Sequence, residues 1–225
     1  SPLKYLELKM DPEWLRYYLA AKLSSRVEDI DFTKQDFFSR VNSDLIGKYV
    51  NIASRSAGFI AKRFGGRVVD DAMNDPLLEK LRGAAPQVIG FYEDRDYAKA
   101  MRLVMELADE TNEYIDREKP WELAKQEGAG EQLHRVCSVS LEAFRILTTY
   151  LKPVLPGIAS QVEEFLNCGE LTWDTVGTPL TSEHEIRPFK HLMQRVDMEK
   201  QLDQLVPDVK PEPKPVLPGN EAIAP

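Results

Sequence analysis

A chain of 225 residues with a formal net charge of −8, 43% hydrophobic and 29% charged, has enough apolar material for a packed core, which excludes a wholly disordered polymer. Its length suits one large domain or one domain with an appendage. The acidity argues at first sight against a nucleic-acid binder, because phosphate contacts need Lys and Arg. The two cysteines, Cys137 and Cys168, lie in apolar surroundings without CxxC spacing, so neither a disulfide framework nor a zinc site is expected. The three histidines, His134, His184 and His191, form no ligand or catalytic spacing. The N-terminus has no basic region followed by an apolar run, and no apolar stretch approaches the ~18 residues of a membrane span. A soluble cytoplasmic protein is expected. The chain opens on Ser1 without an initiator methionine and reads as cut from something longer.

Helical periodicity dominates and strand signals are nearly absent, so the expected fold is an all-α helical bundle. Asp11-Pro12-Glu13 opens a first helix, with Asp11 as cap and Pro12 at the first helical position, running to about Ser24. After a turn over Glu28–Phe32, Thr33 and Asp36 resemble a capping box that starts a long helix, stopped near Phe64 by Gly65-Gly66. A second long pair is expected at about Pro76–Glu93, kinked by Pro86, and Arg95–Arg117. Lys119-Pro120-Trp121 breaks that pattern. A fifth helix covers about Glu131–Leu151, and a short one follows to Asn167. The stretch from Leu171 to Phe189 reads as irregular, with a last short helix near Phe189–Leu205. From Val206 to Pro225 there are six of the chain's 15 prolines, the composition of an extended linker.

The charge is unevenly placed. Arg40–Arg67 holds six cations against Asp44 alone, a net of +5, whereas Val68–Pro120 holds 13 acids and 7 bases, a net of −6. At ~100° per residue, Lys48, Asn51, Arg55 and Lys62 share one narrow stripe of an otherwise mostly apolar helix. On spacing alone that stripe also reads as the solvated face. However, Asn51 is a poor helix former, and an Asn–Arg pair at i, i+4 carries base-reading chemistry. Asn112 and Asp116 repeat the i, i+4 spacing, and Pro120-Trp121 follows just beyond that helix. A Trp on a rigid turn is either a core plug or a stacking platform for an unpaired base.

Arg40-Val41-Asn42-Ser43-Asp44 with Val50-Asn51-Ile52-Ala53-Ser54-Arg55, and Pro120-Trp121-Glu122-Leu123-Ala124-Lys125, closely resemble the anticodon-binding segments of bacterial methionyl-tRNA synthetases. Leu15–Leu23 resembles the helix after that family's KMSKS loop, and Tyr150–Pro156 and Leu171-Thr172-Trp173-Asp174 resemble later segments. The match runs in the family's order from about residue 3 to 200. It implies a C-terminal fragment: residues 1–32 a remnant of the stem-contact fold, 33–170 the α-helical anticodon-binding domain of class Ia synthetases, 171–205 a segment returning towards the catalytic domain, and 206–225 a Pro-rich linker. No HIGH or KMSKS motif and no zinc-binding insertion occurs. The parent thus resembles an ATP-dependent methionine–tRNA ligase, with zinc in some members, while this stretch implies no cofactor and no catalytic or metal site of its own.

By the same resemblance, the partners are methionine tRNA, through its anticodon stem-loop, and the catalytic domain. No membrane or DNA partner is implied. Asn51 and Arg55 would contact the first base of a CAU anticodon, Trp121 would stack on it, and Pro120 would hold the turn. Asn112 and Asp116 would shape a second contact surface, and Lys48 and Lys62 would touch phosphates. The competing readings are a helical protein-interaction module and the anticodon domain of another class Ia synthetase.

Overall fold

The structure, a computed structural model, describes residues 1–26, 29–182 and 184–206. Among these no strand forms; an isolated antiparallel bridge joins Arg67 and Glu185. The Pro-rich stretch from 207 onward and part of the turn expected at Glu28–Phe32 lie outside the described residues.

A short helix, α1 (Pro2–Glu7), precedes the first expected one. The next, α2 (Pro12–Ala20), starts as read: Asp11 Oδ1 accepts from the Glu13 amide at 2.9 Å and Pro12 occupies the first turn. It stops at Ala20, short of Ser24, and the Leu23 carbonyl turns away to accept from the Ala98 amide at 2.8 Å.

The long helix runs from Lys34 to Arg63 in three connected parts. It consists of α3 (Lys34–Ser39), a wide-turn π segment (Arg40–Val50) and α4 (Asn51–Arg63), with right-handed helical dihedrals at every junction. Thr33 caps it through the Asp36 amide at 3.3 Å. A π segment inside an α-helix is rare and concentrates at functional sites. Here it ends on Asn51. At the far end Gly66 sits at φ 77°, and a Cβ there would meet the Ile186 carbonyl at 3.1 Å. Glycine at this point lets the C-terminal segment close on the helix end, where the Ile186 amide donates to the Gly66 carbonyl at 2.9 Å.

The second expected pair is a trio: α5 (Pro76–Gly83), α6 (Ala85–Glu93) and α7 (Tyr97–Glu118). The kink expected at Pro86 is a full break at Ala84, which places Pro86 in the first turn of α6, where its missing N–H costs nothing. Two further helices, α8 (Pro120–Leu123) and α9 (Gly130–Leu151), follow, then α10 (Pro156–Leu166). The axis of the bundle is α9, buried at every residue from Val136 to Leu151, with α4, α5, α7, α8 and α10 packed around it.

Two polar devices tie distant chain to this bundle. Within α9, Arg145 grips Glu142 bidentately at 2.8 and 2.9 Å, both side chains being almost wholly buried. The pair also binds the loop beyond α10: Arg145 donates to the carbonyls of Thr175 and Val176, and Glu142 accepts from the Leu180 amide. The second device is Asn42. Its amide bonds both the carbonyl (3.0 Å) and the N–H (2.9 Å) of Val196, as a neighbouring strand would. This explains why the helix expected from Phe189 begins only at Met198: the chain before it is held extended with Leu192, Met193 and Val196 buried. A wide turn at Met198–Leu202 and the short α11 (Asp203–Leu205) follow.

Candidate nucleic-acid interface

The basic helix and α7 meet along a polar seam of three rungs. Lys48 Nζ donates to Asp109 Oδ2 at 2.7 Å, Asn51 Nδ2 donates to Asn112 Oδ1 at 3.3 Å, and Arg55 Nη2 donates to Asp116 Oδ1. Each rung joins residues 61 positions apart, so the two helices run parallel here with matched i, i+3, i+7 spacing. Asn112 is the centre of the seam. Its Oδ1 also accepts from Arg55 Nη1 at 3.5 Å, and its Nδ2 donates to the Lys48 and Ala108 carbonyls at 3.0 and 2.9 Å.

Beyond α7 the chain turns sharply at Lys119, whose φ of 48° lies in the left-handed region. Pro120 is buried and opens α8, which lays Trp121 beside the last rung. The indole is half-buried against the core, and the Arg55 guanidinium carbon lies 4.7 Å from its ring centroid. Trp121 thus packs on the core and also presents its ring to Arg55.

Five expected residues, Asn51, Arg55, Asn112, Asp116 and Trp121, thus lie together along the middle and last rungs of the seam, with the buried Pro120 at the turn that precedes Trp121. Lys48 lies on the same seam but is engaged by Asp109, and Asp44 lies 4.0 Å away. Lys62 stands apart, exposed near the end of α4 with no ion pair among the described residues. Asp109 was not singled out from the sequence; the available signal was that Asp109, Asn112 and Asp116 repeat the spacing of Lys48, Asn51 and Arg55.

Towards α2 the seam ends in a charged pocket of about 220 Å³ bounded by Tyr17, Arg40, Asp44, Lys48 and Arg102. Burial raises the Asp44 carboxyl above its ordinary value, although the Tyr17 hydroxyl donates to it at 3.1 Å. On the opposite side of Asn51 a wider groove separates the helix from the segment 191–195.

An amide, a fork of guanidinium donors and an aromatic face, adjacent on rigid elements, are the groups that read and stack an unpaired base. A family model described as tRNA synthetases class I (M) matches residues 1–57. The chain is 59% identical over 227 residues to a methionine–tRNA ligase of Polaromonas sp., covering 100% of this chain and 33% of that protein. It is 60% identical over 207 residues to the methionine–tRNA ligase of Herminiimonas arsenicoxydans, covering 91% of this chain and 29% of that protein. Among solved structures, the apo form of Mycobacterium tuberculosis methionyl-tRNA synthetase superposes with a TM-score of 0.75 at 25% identity, over 82% of this chain and 39% of that one. The chain spans about a third of the length of the curated relatives it matches. With identity this high along its whole length, the chain belongs to the methionine–tRNA ligase family.

Proposed function

We propose that this chain is the anticodon-reading part of a cytoplasmic enzyme that joins methionine to its tRNA at the expense of ATP. The observation that supports this reading is the convergence of Asn51, Arg55 and Trp121. A cytosine offers an N4 amino donor and N3 and O2 acceptors, which an amide and a guanidinium can match while the indole stacks on the ring. Because the guanidinium sits beside the indole in the free protein, binding exchanges an Arg–Trp contact for a base–Trp contact. Arg55 then moves from ring to base edge, still tethered by Asp116. Lys62, free of internal pairing among the described residues, is the better placed of the two lysines for phosphate; Lys48 must first leave Asp109.

The residues present do not fit the zinc of some family members. No group of three His, Cys, Asp or Glu side chains among the described residues could hold a metal ion, and Cys137 is enclosed in α9 with its thiol pushed up to about 12 by burial. Activation of methionine belongs to the catalytic domain that the resemblance implies, and the residues 1–32 and 171–205 form the connections towards it.

The test is a titration of this chain with a labelled stem-loop carrying CAU, against one with the first anticodon base changed. Preference for CAU by about fivefold or more is expected from a contact worth ~1–3 kcal/mol. Equal binding, or none, favours a helical protein-interaction module instead.

A further inference from the structure

A second face of α7 lies roughly 130° round the helix from the seam, at ~100° per residue. There Glu110, Glu113, Tyr114 and Glu118 line a groove of about 760 Å³ with the starts of α5 and α9. The volume is within the roughly 300–1,000 Å³ typical of small-molecule sites. None of the seam residues lines it. Pro76, Leu77 and Val136 supply hydrocarbon surface. Four carboxylates, those three glutamates and Asp75, stand against two guanidiniums, Arg117 and Arg135, a net of −2.

Three observations bear on what the groove takes. First, the guanidiniums are already committed. Arg135 donates to the Asp71 carbonyl at 3.1 Å and pairs with the carboxylates of Asp71 and Asp75. Arg117 Nε donates to Glu118 Oε1 at 3.0 Å, and its guanidinium carbon lies 5.2 Å from the Tyr114 ring centroid. Second, carboxylate capacity is left over. Lys80 takes Glu110, but Glu113 is exposed with no ion pair among the described residues, and Glu118 uses one oxygen. Third, Tyr114 is only 7% exposed and lines the groove, yet its hydroxyl makes no hydrogen bond among the described residues. A buried side chain whose polar atom has no partner is uncommon in a native fold and calls for one. Burial, with Asp75 and Glu118 adding to it, pushes this phenol well above its ordinary value, so it stays a neutral hydroxyl at neutral pH with lone pairs to offer a donor.

A ligand that answers all three is a cation, carries N–H donors for a phenol oxygen and for carboxylates, and has hydrocarbon to lay on Pro76, Leu77 and Val136. An ammonium group on a methylene chain has these properties. Glu113 and Glu118 stand about 7.5 Å apart along the helix axis, a separation that a short methylene chain bridges.

We propose that this groove binds an aliphatic polyamine. One ammonium group donates to the Tyr114 hydroxyl oxygen and to Glu118, a second pairs with Glu113, and the methylenes between them lie on the apolar surface. The site shares α7 with the anticodon reading and does not depend on it.

The test is a calorimetric titration of this chain with spermidine at low salt, where one site is expected. Tyr114→Phe removes a hydroxyl that has no internal hydrogen bond, so the fold is kept; binding is expected to weaken by about fivefold, the scale of one hydrogen bond. Glu113→Gln, at an exposed position, is expected to weaken it by about tenfold, the scale of one charge-assisted bond. Glu199→Gln, exposed in the wide turn Met198–Leu202 and outside the groove, is expected to change it by less than about twofold, the scale of screened surface charge. Helicity is checked for each variant. If spermidine does not bind, if Tyr114→Phe binds it as the parent does, or if Glu199→Gln weakens binding as much as Glu113→Gln, the groove is not a polyamine site. If a peptide with paired lysines binds more tightly than spermidine and loses the same factors in Tyr114→Phe and Glu113→Gln, the groove takes the lysines of a protein and the polyamine assignment falls.

Discussion

Arg55 and Asp116, 61 positions apart in sequence, close the last rung between two parallel helices, and the same guanidinium lies 4.7 Å from the Trp121 ring. Its carboxylate partner is 62% exposed. An exposed pair of this kind contributes about 0–1 kcal/mol to stability, so its importance lies in direction rather than energy: Asp116 fixes where the fork points. Replacing Asp116 with Asn keeps an acceptor and removes the charge. Stability is expected to change by less than about 1 kcal/mol. Preference for CAU over the loop with a changed first base should fall by a factor of about 3–10, part of the ~1–3 kcal/mol a well-made base contact carries. Paired titrations measure the ratio, and an unchanged ratio rejects Asp116 as the residue that aims Arg55.

Trp121 has two tasks that a single truncation confounds. It is half-buried against the core, so Trp121→Ala is expected to lower both stability and RNA binding, the latter by ~1–3 kcal/mol for one lost stack. Trp121→Phe separates them: it keeps an aromatic face and most of the packing. Binding should fall in the order Trp, Phe, Ala, while stability of the Phe variant stays close to the parent. If Phe and Ala bind the stem-loop equally well, packing and not stacking explains the residue.

The buried Glu142–Arg145 pair holds the loop from Thr175 to Leu180 beyond α10. Removing one partner of a buried pair leaves an uncompensated charge and typically costs ~3–5 kcal/mol. Glu142→Gln is therefore expected to destabilise the chain by about that amount in urea denaturation. The Leu180 amide, which donates to Glu142 Oε2 at 3.1 Å, should lose hydrogen-exchange protection before the helices do. Uniform loss across the bundle would show that the pair stabilises α9 alone.

What could be read from the sequence was local. The cap at Asp11, the stop at Gly65-Gly66 and the break at Lys119-Pro120 each depend on residues within a few positions of one another and form as expected, whereas only the Thr33 half of the box with Asp36 forms, since the Thr33 amide donates to the Tyr18 hydroxyl at 3.3 Å. The pairs Asn51/Arg55 and Asn112/Asp116 were legible because i, i+4 spacing shares a helix face. That the two faces meet at a constant offset of 61 depends on how α7 packs beside the long helix, which no local pattern states. Long-range partners explain the misses too. Residues 189–197 have an apolar pattern that reads as helix, and the Asn42 amide holds them extended. The enclosure of Glu142 and Arg145, an i, i+3 pair on α9, likewise depends on the distant loop that they bind. Lys62 shares the stripe in angle, because Asn51, Arg55 and Lys62 all lie in the regular α4, but at ~1.5 Å per residue it stands roughly 10 Å along the axis beyond Arg55 and so past the last rung.

At the α2 end of the seam, pH is expected to act through Asp44. Burial holds its carboxyl above the ordinary value of 3.8; the Tyr17 hydroxyl, Lys48 and Arg40 pull it down, and Asp109 pushes it up. A carboxyl that holds its proton more tightly in the folded chain than in the unfolded one disfavours folding once ionised. The cost is absent well below pH 3.8, grows as pH rises through that value, and is complete above the folded-state titration. Asp44→Asn removes the charge and keeps an acceptor for the Tyr17 hydroxyl, which donates at 3.1 Å. The variant is expected to be more stable than the parent at neutral pH, with the advantage shrinking as pH falls towards 3.8 and vanishing below it. Urea denaturation of both proteins from neutral pH down to about pH 3 measures the difference. A parent that is the more stable at neutral pH, or a difference that does not move with pH, would show that the contacts of the Asp44 carboxylate with Tyr17, Lys48 and Arg40 outweigh its burial.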